Sequence, residues 1–158
     1  MEKEIFDEWM ELDREASLTS GSIASIDGAY VTVIGMQAEG KIEDGLCSLR
    51  REGYKKILRL IRQSEKFHRP IVLFVNGGSE FIAQNFFELS GLRVPVLSVI
   101  TGDCGQGEEL AGAISNEVCI SKDSMDSLRN TVLDFLKKFG NRTPEELMTE
   151  RYERIRSI

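Results

Sequence analysis

Two glycine-rich turns carry the residues whose types and spacing could do chemistry. The first turn contains Gly77 and Gly78, and the second contains Gly105 and Gly107. Each turn follows an apolar run and precedes a segment with helical spacing, so its backbone N–H groups can converge where the helix dipole adds positive potential. Glycine also lets a substrate oxygen approach the backbone closely. The pattern predicts pockets for an oxygen that gains negative charge, such as that of a thioester or a ureido group.

Other chemistries fit these residues less well. The second turn lacks the Lys-Ser/Thr pair of a phosphate-binding loop, and Leu110 stands where a dinucleotide fingerprint has its third glycine. Cys104 at a helix start could react as a thiolate, but a passive small residue is the favoured interpretation. His68, the single histidine, is expected to be a surface residue without a chemical role. Three widely spaced cysteines suggest neither a disulfide framework nor a zinc site, and no metal is predicted.

Composition limits the class of protein. The chain has 158 residues, of which 41% are hydrophobic and 29% charged, and this predicts one domain with a packed core. A formal net charge of −6 argues against nucleic acid as a partner. The sequence shows neither a long apolar run nor the apolar segment of a signal peptide. We therefore expect a cytoplasmic protein without a membrane contact.

The elements that must position the two turns follow from hydrophobic spacing. The first part of the chain predicts a helix over 4–16, a hairpin of strands 22–26 and 30–35 around Asp27-Gly28, and a loop over 36–48. Strands are then predicted over 71–75, 94–100 and 117–120, with helices over 51–66, 79–90 and 108–114 between them. A helix over 125–139 and a last helix starting at the capping box Thr143-Pro144-Glu145-Glu146 complete the chain. Alternating strands and helices indicate an α/β fold with parallel pairing.

The helix over 51–66 has a strongly basic face. Its cations and those just before it are Arg50, Arg51, Lys55, Lys56, Arg59 and Arg62. A solvated face is the ordinary interpretation of such a pattern. The alternative is a binding role, in which Arg50, Arg51 and Lys55 contact the phosphates of a coenzyme or an acidic partner surface.

Several colinear segments resemble the carboxyltransferase α subunit of bacterial acetyl-CoA carboxylase. They lie at 21–28, 33–37, 52–60, 79–85, 91–96, 102–107, 143–147 and 150–153. The resemblance implies a crotonase-type ββα spiral, here truncated, with a helix over 1–20, a core over 21–124 and helices over 125–158 in a single domain. It also implies transfer of a carboxyl group from carboxybiotin to acetyl-CoA, a step of fatty acid biosynthesis, with a β subunit as partner. Gly77, Gly78, Gly105 and Gly107 would then supply the backbone oxyanion donors.

The sequence also departs from that family's pattern. A long loop rich in glycine and proline is replaced by Asn76-Gly77-Gly78, and a long segment after Ser124 is missing. In the second turn Cys104 and Glu108 stand where the family has glycines, and Glu109 replaces a small residue. Carboxylates suit a helix N-terminus, yet they compete with an anionic ligand there.

Two hypotheses follow from the match and the departures. The first is a carboxyltransferase α-type subunit that acts with a β-type subunit on carboxybiotin and an acyl-CoA, neither of them covalently bound. The second is a non-catalytic assembly or regulatory module that keeps the crotonase-type fold. Either one is expected in a homo-oligomer or an α/β assembly.

Overall fold

A six-stranded mixed sheet organises the chain. The computed structural model describes residues 2–13, 19–36, 44–76, 82–83, 85–101, 106–121 and 124–157. The strands, which lie in the sheet in the order of the sequence, are β1 Glu8–Asp13, β2 Thr19–Ile26, β3 Ala29–Met36, β4 Ile71–Val75, β5 Val96–Ile100 and β6 Glu117–Ile120. β1, β2 and β3 pair antiparallel, whereas β3 to β6 pair parallel. The predicted α/β class with parallel pairing is confirmed.

Helices cover both faces of this sheet. They are α1 Asp44–Lys66, α2 Phe86–Ser90, α3 Gln106–Ile114, α4 Met125–Phe139 and α5 Pro144–Ser157. α1, α2 and α3 contribute to the core cluster on one face, and α4 and the start of α5 contribute to the cluster on the other. β4 and β5 are buried along their whole length, as expected of parallel strands that are covered on both sides. The carboxyl ends of these two strands therefore hold fixed positions at one edge.

The hairpin between β2 and β3 is built as the sequence predicts. Asp27 and Gly28 both have positive φ, at 47° and 81°. A two-residue turn of this kind matches the right-handed twist of the flanking strands. It sets the register in which Ser25 lies opposite Tyr30 and Gly21 opposite Ile34.

The predicted helix over 4–16, and with it the helical segment 1–20, is wrong. A 3-10 helix spans Glu2–Ile5, and Glu8–Asp13 forms β1 at the sheet edge. The apolar spacing fits both structures, because Ile5 and Phe6 enter the core from the short helix while Trp9 packs on the same cluster from the strand. Backbone pairing with β2 favours the strand, because an isolated helix of this length is only marginally stable in water.

Several other boundaries differ from the sequence prediction. β5 begins at Val96 instead of residue 94, α3 begins at Gln106 instead of residue 108, and both hairpin strands are longer than predicted. α1 begins at Asp44, so the end of the predicted loop over 36–48 is helical, while residues 37–43 lie outside the described part. Of the predicted helix over 79–90, residues 82–83 and Phe86–Ser90 are helical, and Ser79 lies outside the described residues. The strands over 71–75 and 117–120 and the helix over 125–139 are confirmed to the residue.

α5 starts where its capping box predicts, but it buries an unexpected residue. The hydroxyl of Thr143 accepts a hydrogen bond from the backbone N–H of Glu146 at 3.2 Å. Of the apolar residues of this helix, Leu147 is buried, whereas Met148 and Tyr152 are exposed. Arg151 is fully buried in the same helix.

The guanidinium of Arg151 joins α5 to the sheet layer. It donates to the carbonyl oxygens of Leu92 and Val94, and its Nη2 lies 2.8 Å from Oδ1 of Asn116. Asn116 is itself held in place, because its Oδ1 accepts from the backbone N–H of Val96 and its Nδ2 donates to Leu147. Burial lowers the pKa of Arg151 to about 10, so the group stays charged at neutral pH.

An ion-pair cluster ties the first residues to the hairpin and to α4. Asp7 accepts from the backbone N–H of Asp27 at 2.8 Å and lies 3.0 Å from Arg129. The hydrogen bond from Asp27, helped by the charge of Arg129, holds the pKa of Asp7 below its ordinary value of 3.8 against the opposing effect of desolvation.

A lowered carboxyl pKa makes stability depend on pH in acid. The stabilisation is present above the ordinary pKa of Asp7 and is lost as the pH falls through the folded-state pKa. The midpoint of urea unfolding should therefore differ more between wild type and Asp7→Asn at roughly pH 5 than at roughly pH 3. Asp134→Asn, which changes an exposed carboxylate in the middle of α4, is the matched control. An equal difference at both pH values would contradict this role of Asp7.

Candidate functional site

The carboxyl ends of β4 and β5 lie side by side. Val75 pairs with Ile100 at the end of the parallel ladder. Beyond it, the backbone N–H of Asn76 donates to Met36 at 2.8 Å and that of Thr101 donates to Val75 at 3.0 Å. These two hydrogen bonds extend the parallel pairing by one residue beyond the end of each strand. Both glycine turns therefore start from neighbouring points of one sheet edge, about 5 Å apart.

The four glycines predicted as oxyanion donors follow these strand ends. Gly77, Gly78 and Gly105 lie outside the described residues. Gly107 is the second residue of α3, whose first turn leaves backbone N–H groups without an intrahelical partner. The N-terminus of α3 thus starts a few residues after the end of β5, where its dipole favours negative charge.

Two hydroxyl groups anchor α3 to the strand that it follows. Ser115, directly after the helix, lies 2.5 Å from the buried hydroxyl of Ser98 in β5. The Ser115 hydroxyl also donates to the backbone oxygen of Ala111 at 2.6 Å. Ala111 and Ile114 are buried against the sheet. Because α3 is anchored at its C-terminal end and along its buried face, its first turn has a fixed position relative to the sheet.

The first turn of α3 also carries two carboxylates. Glu108 and Glu109 are both exposed there. Their charges interact favourably with the helix dipole, and the same charges oppose the binding of an anion at this helix end. The structure thus bears out the position of these acidic residues at the helix start.

The predicted binding cations lie on α1. The side chains of Arg50 and Arg51 are outside what the structure describes, and Lys55 is exposed. α1 follows β3 and precedes the parallel strand β4, so its first half lies toward the carboxyl edge of the sheet. Further along the helix, Arg62 pairs with Glu88 of α2 at 2.7 Å. The face is thus partly an ion-pairing surface between helices.

Two of the remaining candidates from the sequence, His68 and Cys119, lie among the residues that the structure describes. His68 is exposed just before β4, as predicted for a surface histidine, and its positive φ of 56° places it in a turn. Cys47 and Cys104 are not described at the side-chain level, and Cys119 is a partly buried free thiol. Among the helices that the structure describes, none has the length and apolar character needed to span a membrane.

Two features of the structure are not predicted by the sequence. The first is the burial of Arg151, because a charged residue in a helix rich in charged residues gives no local signal of burial. The second is the exposure of Met10 and Leu12 on β1, since the spacing of Ile5, Phe6, Trp9 and Leu12 predicts an amphipathic helix in which Leu12 faces the core. The segment from Glu8 to Asp13 does not alternate strictly, because Trp9 and Met10 are adjacent, so its spacing gives no clear signal for a strand.

Solved structures with the same fold define the class. One chain of the MdcD-MdcE hetero-dimer of Pseudomonas malonate decarboxylase matches with a TM-score of 0.61 at 14% identity, covering 96% of this chain and 90% of that one. The transcarboxylase 12S core matches with a TM-score of 0.51, also at 14% identity, covering 98% of this chain and 34% of that one. At such low identity the likeness shows the fold alone. The chain has a crotonase-like carboxyltransferase fold, as predicted.

Sequence comparisons identify the family within this class. Residues 2–128 match the family model described as acetyl co-enzyme A carboxylase carboxyltransferase-like. The acetyl-coenzyme A carboxylase carboxyl transferase subunit alpha of Streptococcus gordonii is 37% identical over 172 residues, which take in 92% of this chain and 67% of that protein. Its counterpart from Streptococcus pyogenes serotype M5 is 35% identical, with 91% and 66% covered. This chain belongs to the acetyl-CoA carboxylase carboxyltransferase α-subunit family.

Length separates this chain from those relatives. It spans about two thirds of the length of the curated relatives that it matches. The 172 aligned positions exceed its 158 residues, so the relatives carry residues within the aligned stretch that this chain lacks. This agrees with the shortened regions expected from the sequence.

Proposed function

We propose that this chain is the α-type subunit of a biotin-dependent carboxyltransferase and acts with a β-type subunit on carboxybiotin and an acyl-CoA. One observation carries the proposal. β4 and β5 end side by side, and each leads directly into one of the two glycine turns. Membership of the α-subunit family supports it.

In this proposal the backbone of the two turns performs the central task. The N–H groups of Gly77 and Gly78, and those of Gly105 and Gly107, hold oxygens that gain charge during carboxyl transfer. Carboxybiotin, when bound, supplies the carboxyl group. The α3 dipole adds to the positive potential at the second turn. Preorganised donors of this kind need no rearrangement at the moment of reaction.

The cations of α1 have a supporting role. Arg50, Arg51 and Lys55 contact the phosphates of the acyl-CoA or an acidic surface of the β-type subunit. The direction of α1 supports this, since its first half lies toward the carboxyl edge. A cytoplasmic location and an oligomeric assembly remain predictions.

A non-catalytic assembly or regulatory module is the second candidate. Two observations favour it. Glu108 and Glu109 place negative charge at the helix end where a carboxylate must bind. The aligned relatives also have residues that this chain lacks. The loss of one oxyanion donor costs roughly 2.7 to 4 kcal/mol of barrier, which lowers the rate about 100- to 1,000-fold.

The experiment that tests the proposal is an assay of the reverse reaction. The chain, a β-type subunit and their mixture are each incubated with malonyl-CoA and biotin, and biotin-dependent decarboxylation is followed. The proposal predicts activity in the mixture and none in either protein alone. A mixture that forms a complex but has no activity would overturn it and favour the non-catalytic candidate.

A substitution at Glu108 tests the electrostatics of the second turn. Removing this carboxylate is expected to raise the affinity for malonyl-CoA about two- to fivefold at low salt, because one like charge leaves the helix N-terminus. Glu108→Gln preserves helix propensity, and Glu108→Gly restores the residue type of the family. The affinities are measured by isothermal titration calorimetry.

The matched control for this prediction is Asp134→Asn, which removes an exposed carboxylate from α4. It should leave the affinity unchanged. Raising the salt concentration should reduce the gain seen for Glu108→Gln, because exposed charges are screened. Unchanged affinity in both Glu108 variants would mean that this carboxylate does not oppose the ligand.

A further inference from the structure

In the part of the chain that the structure describes, the sheet face that α1 covers is open over β1. Two contacts show which face this is. A Cβ placed on Gly21 of β2 would lie 2.7 Å from Leu60 of α1. In β3, the hydroxyl of Thr32 lies 2.5 Å from that of Ser64 in α1. α1 therefore packs over β2 and β3, while β1 extends beyond it.

Exposed apolar side chains lie on this same face. Met10 of β1 pairs with Ile23, which alternation places on the face of Gly21. Leu12 lines a groove with Gly21, and Tyr30 shares the face of Thr32, two residues further on. Met10, Leu12 and Tyr30 are 56%, 47% and 59% exposed. Large apolar groups so exposed on one sheet face indicate a contact surface.

One side of α1 forms the wall beside this floor. A groove of about 450 Å³ separates Leu12 from the α1 residues Lys56, Arg59 and Gln63. The wall continues past the helix end, because the backbone N–H of Phe67 donates to Gln63 at 3.0 Å and the Phe67 side chain is 57% exposed. We call the surface formed by Met10, Leu12, Tyr30, Lys56, Arg59, Gln63 and Phe67 the β1–α1 slot.

The Phe67 end of the slot is held to the sheet. The guanidinium of Arg69 lies over the Phe67 ring at 5.5 Å, and its Nε donates to the hydroxyl of Thr32 at 3.2 Å. Phe67 is thereby placed near the strand that carries Tyr30. The slot extends from Leu12 to Phe67. A small molecule that filled only the groove beside Leu12 would therefore leave the half of the slot near Phe67 uncovered.

The dimensions and charge of the slot fit one kind of occupant. A helix that packs beside α1 at the usual separation of about 10 Å between helix axes would lie over β1, which α1 leaves uncovered. Lys56 and Arg59 make the α1 wall basic, whereas Glu8 lies at the start of β1. A helix in the slot would bury apolar residues on the floor and turn acidic residues toward α1. We propose that the β1–α1 slot binds an acidic amphipathic helix of a partner protein.

The full chain can be tested with a designed peptide. The probe is a fluorescein-labelled helix of roughly 18 residues, about five turns, with leucine on one face and glutamate beside it. A matched peptide carries lysine in place of glutamate. Fluorescence anisotropy should show binding of the glutamate peptide and much weaker binding of the lysine peptide.

Charge reversal in the wall gives the decisive comparison. The double variant Lys56→Glu/Arg59→Glu should lose about tenfold or more in affinity for the glutamate peptide and gain affinity for the lysine peptide. Such an exchange of preference is not produced by partial unfolding. Met10→Ser/Leu12→Ser should weaken both peptides, because it removes the apolar floor.

Two surface variants outside the slot are the controls. Phe87→Ser changes a side chain that is 95% exposed on α2, and Lys137→Glu reverses a charge on α4. Both should bind the glutamate peptide as wild type does. Equal binding by all variants, or no exchange of preference after charge reversal, would overturn the proposal. A self-associated wild type that the Met10→Ser/Leu12→Ser variant converts to monomer would overturn it in favour of a second copy.

Discussion

Replacement of Arg151 by alanine is expected to lower the free energy of unfolding by about 3 to 5 kcal/mol. The guanidinium is fully buried and donates to Leu92, Val94 and Asn116. Its loss takes this donor from the carbonyl oxygens of Leu92 and Val94, leaves Asn116 Oδ1 with only the Val96 N–H, and opens a cavity between α5 and the sheet layer. Against a total stability of about 5 to 15 kcal/mol, this is a large fraction. Urea unfolding followed by circular dichroism measures it.

Two further variants separate the causes of that loss. Arg151→Met keeps most of the side-chain volume, so any loss beyond the small packing change reports the missing hydrogen bonds. Arg156→Ala, on an exposed position of the same helix, should change stability by no more than about 0.5 kcal/mol. If Arg151→Ala and Arg156→Ala are equally stable, the buried guanidinium does not hold α5 to the sheet.

Replacement of Gly107 by proline is expected to lower the carboxyltransferase rate by about 100- to 1,000-fold, because it removes one N–H donor of the proposed oxyanion pocket. Gly107 lies in the first turn of α3, where its N–H has no intrahelical acceptor and proline is tolerated. The substitution therefore removes the donor at little cost to the helix. The rate of biotin-dependent malonyl-CoA decarboxylation by the mixture with a β-type subunit is the measured quantity.

Two alanine variants make this comparison specific. Gly107→Ala keeps the N–H group and adds a methyl group, so it tests whether the substrate oxygen needs close access to the backbone. Gly112→Ala lies in the same helix, where the added Cβ would meet Val118 at an ordinary contact distance of 3.8 Å, and it should retain full activity. Equal rates for wild type and Gly107→Pro, with both proteins folded, would remove Gly107 from the site.

The parts of the fold that the sequence predicted correctly are those with strong local signals. Continuous apolar runs identified β4 and β5, the Asp27-Gly28 pair identified the hairpin, and the capping box at Thr143 identified the start of α5. In each of these places local conformational preference and tertiary packing favour the same structure. Gly28 illustrates this, because its positive φ is available to glycine without strain.

The predictions that were wrong concern residues whose structure depends on contacts with distant parts of the chain. The first residues fit a helical pattern, yet β1 forms because β2 offers it a partner strand. The burial of Arg151 depends on carbonyl groups about 57 and 59 residues away in the chain, which no local pattern encodes. The order of strands and helices predicts that both glycine turns start at one edge of the sheet. The β1–α1 slot is not predictable from that order, because it depends on both the strand register and the position of α1.

The central claim is that backbone N–H groups of the two turns hold an oxygen of the ligand. The most direct measurement is a titration of the ¹⁵N-labelled chain, in complex with an unlabelled β-type subunit, with malonyl-CoA and with biotin, followed through amide chemical shifts. The claim predicts that the amide protons of Gly77, Gly78, Gly105 and Gly107 shift downfield at saturation more than those of Gly28 and Gly112. Saturating ligand that leaves these four amides unshifted, or shifts only amides elsewhere in the chain, would contradict it.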